Sequence, residues 1–147
     1  MPGKSAAVRA SIETALAGYV AELRLAGPHW DRKPVGSADG EAAWSARQVA
    51  EHIAGAATFF GAGIAGALGI PGPSRNQPAF NSVDEAVGGT QTAHEALFGV
   101  VDALSDEQLV LEFEAPRFGK TSAGNLLALV VNHLGDHAGQ LTTLREG

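Results

Sequence analysis

Leu126-Leu-Ala-Leu-Val-Val-Asn-His133-Leu-Gly-Asp-His137-Ala-Gly-Gln140-Leu141 is the stretch that decides how this chain folds. Leu126, Val130, His133, His137 and Leu144 recur at helical spacing on one stripe, flanked by Gln140 and Leu141, so a helix is expected from Thr121 or Ser122 to about Arg145. That stripe is the face a helix turns toward a core, and here it carries two histidines. Residues four apart on a helix have Cβ atoms about 5–6 Å from each other, so both imidazoles can reach one metal ion.

Upstream, three further segments show the same period. Val8, Ile12, Ala15, Leu16, Tyr19, Val20 and Leu23 describe a first helix closed by Gly27-Pro28. An irregular loop, Pro28 to Ala43, leads to a second helix with a capping box, Ser45 with Gln48, and a hydrophobic staple, Trp44 with Val49. That helix carries His52 and Phe59-Phe60, and its glycine-rich end is expected to fray or kink before Pro71. After a loop from Pro71 to Asn81, Ser82 with Glu85 reads as a second capping box. Val83, Val87, Thr90, His94, Leu97, Val101 and Leu104 follow in strict 4-3 alternation, the mark of a bundle helix. Ser105-Asp106-Glu107 caps a short turn, and Leu109 to Phe113 reads as a brief extended segment. Four helices of about 18–25 residues joined by loops of about 10–16 describe an all-α four-helix bundle. No repeat interrupts residues 1–147, which read as one domain.

Composition narrows the function. There is no cysteine, which removes disulfides, zinc ribbons, Fe–S clusters and a protein thiol nucleophile, and makes the reducing cytoplasm the expected compartment. Any sulfur chemistry must then use the thiol of a small molecule. A net charge of −6 with scattered Lys and Arg excludes the basic stripe that nucleic acid requires. Arg9, Glu13, Glu22 and Arg24 break up any signal-peptide core. Ile53 to Ser74 is uncharged and long enough to span a bilayer, but its Ala and Gly content suits a buried helix, so no membrane partner is expected. The same small residues permit close approach of a second copy, which makes a homodimer an expectation.

His52, His133 and His137 all lie on apolar helix faces. Each burial without a partner costs free energy, and one shared metal would satisfy all three; packed core histidines are the alternative. His94 reads first as a core or edge histidine, with a role as fourth ligand or as a group that orients the ligands as the alternative. His29 sits in a loop beside Trp30 and reads as a surface residue. The motif is not His-Glu-x-x-His, because Leu134 takes the place of the glutamate. Asp136 points about 100° away from His137 around the helix and reads as a solvated group or one that supports the ligands, rather than as a ligand. Gln140 is placed to hold an imidazole N–H, or simply to join two helices. Neither a nucleophile elbow nor a phosphate-binding glycine loop is present.

Two motifs resemble those of the DinB/YfiT-like metalloenzymes, a family that includes bacillithiol and mycothiol S-transferases and the mycothiol-dependent maleylpyruvate isomerase. Trp44-Ser-Ala-Arg-Gln-Val-Ala-Glu-His52-Ile is similar to the family's Trp-Ser-x-x-x-x-x-x-His-Leu helix start. His133-Leu-Gly-Asp-His137-Ala-Gly-Gln140-Leu141 is similar to its His-x-x-x-His-x-x-Gln-Leu ending. Phe80-Asn-Ser-Val-Asp-Glu85 and Phe118-Gly-Lys-Thr121 resemble the segments before its third and fourth helices. The resemblance implies an up-down-down-up bundle and a divalent metal, often zinc or nickel, held by His52, His133 and His137. The isomerase branch has glutamate where this chain has His133, which favours the general DinB-like branch.

The function expected from this resemblance is a metal-dependent transferase that joins a low-molecular-weight thiol to an electrophilic small molecule. A metal-dependent hydrolase is the alternative within enzymes, and a non-catalytic metal- or ligand-binding stress-response bundle the alternative outside them. Arg47, Arg117 and Lys120 are candidates for gripping carboxylates of a thiol cofactor, with plain solvated charges as the simpler reading. The Pro28–Ala43 and Pro71–Asn81 loops are expected at the pocket mouth.

Overall fold

Helices form where the periodicity places them. In a computed structural model that describes residues 3–34 and 40–146, they are α1 (Lys4–Arg24), α2 (Ala46–Leu68), α3 (Val83–Asp102), a short α4 (Asp106–Val110) and α5 (Ala123–Glu146). The centre of the Pro28–Ala43 loop and the two ends of the 1–147 span lie outside the described residues. The stripes read from the sequence are the core: Ile12, Tyr19, Leu23, Leu97, Val101, Leu126, Val130 and Leu144 are all buried.

Contacts across the bundle give its directions. Near the end of α1, Glu22 pairs with Arg145 near the end of α5, so these two helices run parallel. Arg9, early in α1, pairs with Asp102 at the end of α3, so those two are antiparallel. The connection from α2 to α3 runs back along α2: Pro73 lies against Gly61, the Asn76 N–H donates to Thr58 Oγ1 at 3.0 Å, and the Phe80 N–H donates to the Glu51 carboxylate at 2.8 Å. Thus α3 starts beside the first half of α2 and runs parallel to it. The four long helices are therefore arranged up, down, down, up, and all belong to a helical bundle.

Local chemistry explains most of the ends. Ser45 and Gln48 form the expected reciprocal box at the start of α2. At α3 only half of the expected box is made: Ser82 Oγ accepts from the Glu85 N–H, and the reciprocal bond is absent among the described residues. The second half of α2 does not fray; it runs intact to Leu68, where Gly69 takes the left-handed conformation and closes the helix. The span Leu109–Phe113 differs from the sequence expectation. A capping box from Ser105 to Gln108 nucleates α4, so Leu109 and Val110 are helical. The extended segment begins later, as β1 (Glu112–Ala115) paired antiparallel with β2 (Gly119–Ser122). Ser122 then caps α5 by accepting the Asn125 N–H at 3.2 Å. Among the described residues, no helix is long and apolar enough to cross a membrane.

Candidate metal centre

α2 and α5 cross with their polar notches facing. His52 lies two turns into α2, and His133 and His137 lie one turn apart on α5. His133 Nε2 is 2.9 Å from His52 Nε2 and 3.0 Å from His137 Nε2. The three rings meet nearly edge to face, at centroid distances of 4.5–5.2 Å. Glu41 completes the group, its Oε1 3.3 Å from His137 Nε2 and 3.7 Å from His52 Nε2. All four donor atoms lie within 4.8 Å of one another.

Hydrogen bonding fixes what one ring presents to the centre. The Glu41 backbone carbonyl can only accept, so the Gln140 amide must turn its NH2 toward it, at 2.6 Å. Gln140 Oε1 is then left to face His137 Nδ1 at 2.7 Å, which places the proton on Nδ1. In the neutral ring, His137 Nε2 is therefore a bare lone pair aimed at the cluster. His133 Nε2, close to both other rings, can donate to only one of them. Whatever its tautomer, three neutral imidazoles cannot satisfy this triangle among themselves, whereas one cation about 2.0–2.1 Å from each nitrogen would. The donor set fits a divalent ion.

Electrostatics points the same way. Burial, followed by the neighbouring His137 and His52 rings, lowers the His133 pKa to about 4, against smaller opposing effects from Glu41 and Asp136. His52 is also lowered, first by burial and then by His137, with Glu41 opposing. These two rings are thus held neutral, the form that ligates metals. Trp44 walls the cluster, stacked on His137 at 6.2 Å and tilted against His52 at 4.8 Å. The residue read as a hydrophobic staple thus also shields the site.

The remaining sequence candidates fall elsewhere. His94 is 1% exposed on α3 and stands outside the converging donors; its Nδ1–H donates to the Thr90 carbonyl at 2.8 Å. Arg47 is engaged by Asp31 and Glu51, both at 3.5 Å, and does not line the pocket. Lys120 lies exposed on β2, also away from it. Arg117 does line it, and so does Asp136, beside His133. His29 is half-buried in a 3₁₀ turn rather than simply on the surface. The open pocket, about 720 Å³, begins at His52 and His133 and is bounded by Phe59, Phe60, Phe118 and the loop residues Arg75, Asn76 and Gln77. Sequence reasoning missed Glu41 and Arg75. Both sit in segments without periodicity, and only the position of Glu41 just before the Trp44-Ser45 helix start hinted at its place.

A family model described as the DinB superfamily matches residues 10–141 of the chain. No curated protein and no solved structure matches it.

Proposed function

Because the chain belongs to the DinB superfamily, we propose that it is a divalent-metal-dependent enzyme that transfers a low-molecular-weight thiol to an electrophilic small molecule. The observation that carries this reading is the convergence of three imidazole Nε2 atoms and one carboxylate at the edge of a pocket large enough for a small-molecule substrate. His52, His133 and His137 would hold the ion, with Glu41 in reach as a fourth donor. A set of mainly imidazole donors suits zinc or nickel. Once bound, the ion supplies Lewis acidity that favours ionisation of a thiol or of water near neutral pH.

The chain's own residues have separable tasks. Gln140 fixes the His137 tautomer and Trp44 limits water at the rings. Glu41 is the one acid of the four converging groups. Its side chain is 59% exposed on a 3₁₀ turn, so the carboxylate oxygen turned away from the histidines can accept the proton that an incoming thiol gives up and pass it to solvent. The absence of cysteine from the chain supports a thiol brought in from outside.

The test is metal analysis of the purified protein, followed by assay of the loaded protein with low-molecular-weight thiols and an arylating electrophile. One ion per chain and thioether formation, both lost in His137→Ala with the circular dichroism intact, are expected. Thiol-independent ester cleavage would assign a hydrolase instead. Metal binding with no turnover of either kind would reduce the protein to a binding bundle.

A further inference from the structure

The far end of the pocket has a chemistry of its own. Two arginines from separate segments, Arg75 in the connection after α2 and Arg117 in the β1–β2 turn, lie over the same ring, with guanidinium carbons 4.8 Å and 5.6 Å from the Phe59 centroid. Two guanidiniums near one ring raise the local positive potential, which a bound anion would offset. Neither has an ion-pair partner among the described residues, although the chain as a whole is acidic and Arg9, Arg47 and Arg145 are paired. Arg117 also occupies the left-handed region at φ 75°, the one non-glycine residue to do so among those described. The Phe118 N–H donates to the Ala115 carbonyl at 3.1 Å, so Pro116 and Arg117 are the central residues of a tight turn, and that turn sets the Arg117 conformation.

The wall beside these arginines is apolar and open. Phe60 packs against Phe59 at 5.5 Å and against Phe118 at 5.9 Å, while Phe118 and Leu129 remain 38% and 41% exposed. Behind this wall lies a second cavity of about 370 Å³ that shares Phe59, Phe60, Arg75 and Phe118 with the first. Gly63 and Gly66 of α2 line it, and a Cβ at either would meet nothing within 4 Å. The opposite end, beside His133, carries Asp136, which disfavours an anion there.

We propose that Arg75 and Arg117 form an anion-recognition clamp and that the acceptor substrate is a small carboxylic acid with an apolar body. Its carboxylate lies between the two guanidiniums, its apolar part runs against Phe60 and Phe118, and its reactive end faces the histidines. The assignment of the reactive end rests on the metal-centre reading; the clamp itself does not.

Metal-free protein therefore serves for the test, with 4-phenylbutyrate, its primary amide and phenyl phosphate as probes, titrated by calorimetry and by ligand-observed NMR. The acid should bind roughly tenfold more tightly than the amide. That preference should vanish in Arg75→Gln/Arg117→Gln, whose fold is checked by circular dichroism, and persist in His137→Ala. Equal binding of acid and amide, unchanged binding in the double variant, or no binding of the acid up to about 10 mM would overturn the clamp. Preference for phenyl phosphate would overturn the carboxylate. Loss of metal in His137→Ala with acid binding retained separates this result from the fate of the metal reading.

Discussion

His94 on α3 and the trio on α2 and α5 are two ways in which one bundle houses histidine. His94 is the more buried, at 1% exposed; its Nδ1–H donates to the Thr90 carbonyl of its own helix, and it stands outside the converging donors. In the trio, Nε2 faces Nε2, and the hydrogen bonds around His137 turn a lone pair inward rather than satisfy it. Burial depth thus fails to separate a histidine that stands alone from those that converge. Convergence of donor atoms does separate them.

The sharpest way to break this contrast is to remove one histidine of each kind. His137→Ala should weaken zinc binding by more than about 100-fold in a competition titration with a chromophoric chelator. It should leave the Tm of the metal-free protein unchanged or higher, because the crowded nitrogens are relieved. His94→Ala should do the reverse: roughly 2–4 kcal/mol of stability lost, a Tm drop of roughly 5–15 °C, and zinc affinity within about threefold of the parent. His94→Leu, which fills the same space, should restore most of that Tm. Should His94→Ala abolish metal binding, the two kinds would not be distinct.

Second in size is Gln140→Ala. It frees the His137 ring to rotate and to take the other tautomer, and should cost about 10–100-fold in metal affinity with little change in Tm. Glu41→Gln follows, with a loss of about tenfold or less in affinity, because an exposed turn holds its carboxylate loosely. The absorption spectrum of the cobalt(II)-loaded protein would show whether that variant loses a ligand.

The smallest effect concerns pH. His52, His94 and His133 all have lowered pKa values in the fold, whereas in the unfolded chain they would protonate near pH 6.5. Between those values the unfolded state binds more protons, so stability rises with pH through the window. It is fully present above about pH 6.5 and is lost as pH falls toward the folded values. Calorimetry of metal-free protein should show Tm falling by at least about 5 °C from pH 7.5 to pH 5, and His94→Leu should flatten that slope in part. A Tm independent of pH would mean that these rings are not held neutral.

What the sequence could disclose follows from where periodicity exists. Four helices, their stripes and three of the four converging donors lie on segments where a 3.6-residue period fixes which side chains share a face. Glu41 and Arg75 come from loops, whose course depends on tertiary contacts such as Gln140 to the Glu41 carbonyl and Asn76 to Thr58. The sequence places the extended segment a few residues early and does not show its partner, because each strand is only four residues long and β2 does not alternate. Arg47 takes the simpler of its two readings, a surface charge, here paired with Asp31 and Glu51.

The strap from α2 to α3 also carries a rule about length. Gly72 lies so close to Ala65 that no Cβ fits there, and it is flanked by Pro71 and Pro73. Adding or deleting one residue ahead of this point would bring a proline ring to the spot where only hydrogen is tolerated. The connection thus counts residues against the helix beneath it, as a strand counts against its neighbour, and a one-residue indel would be rejected here.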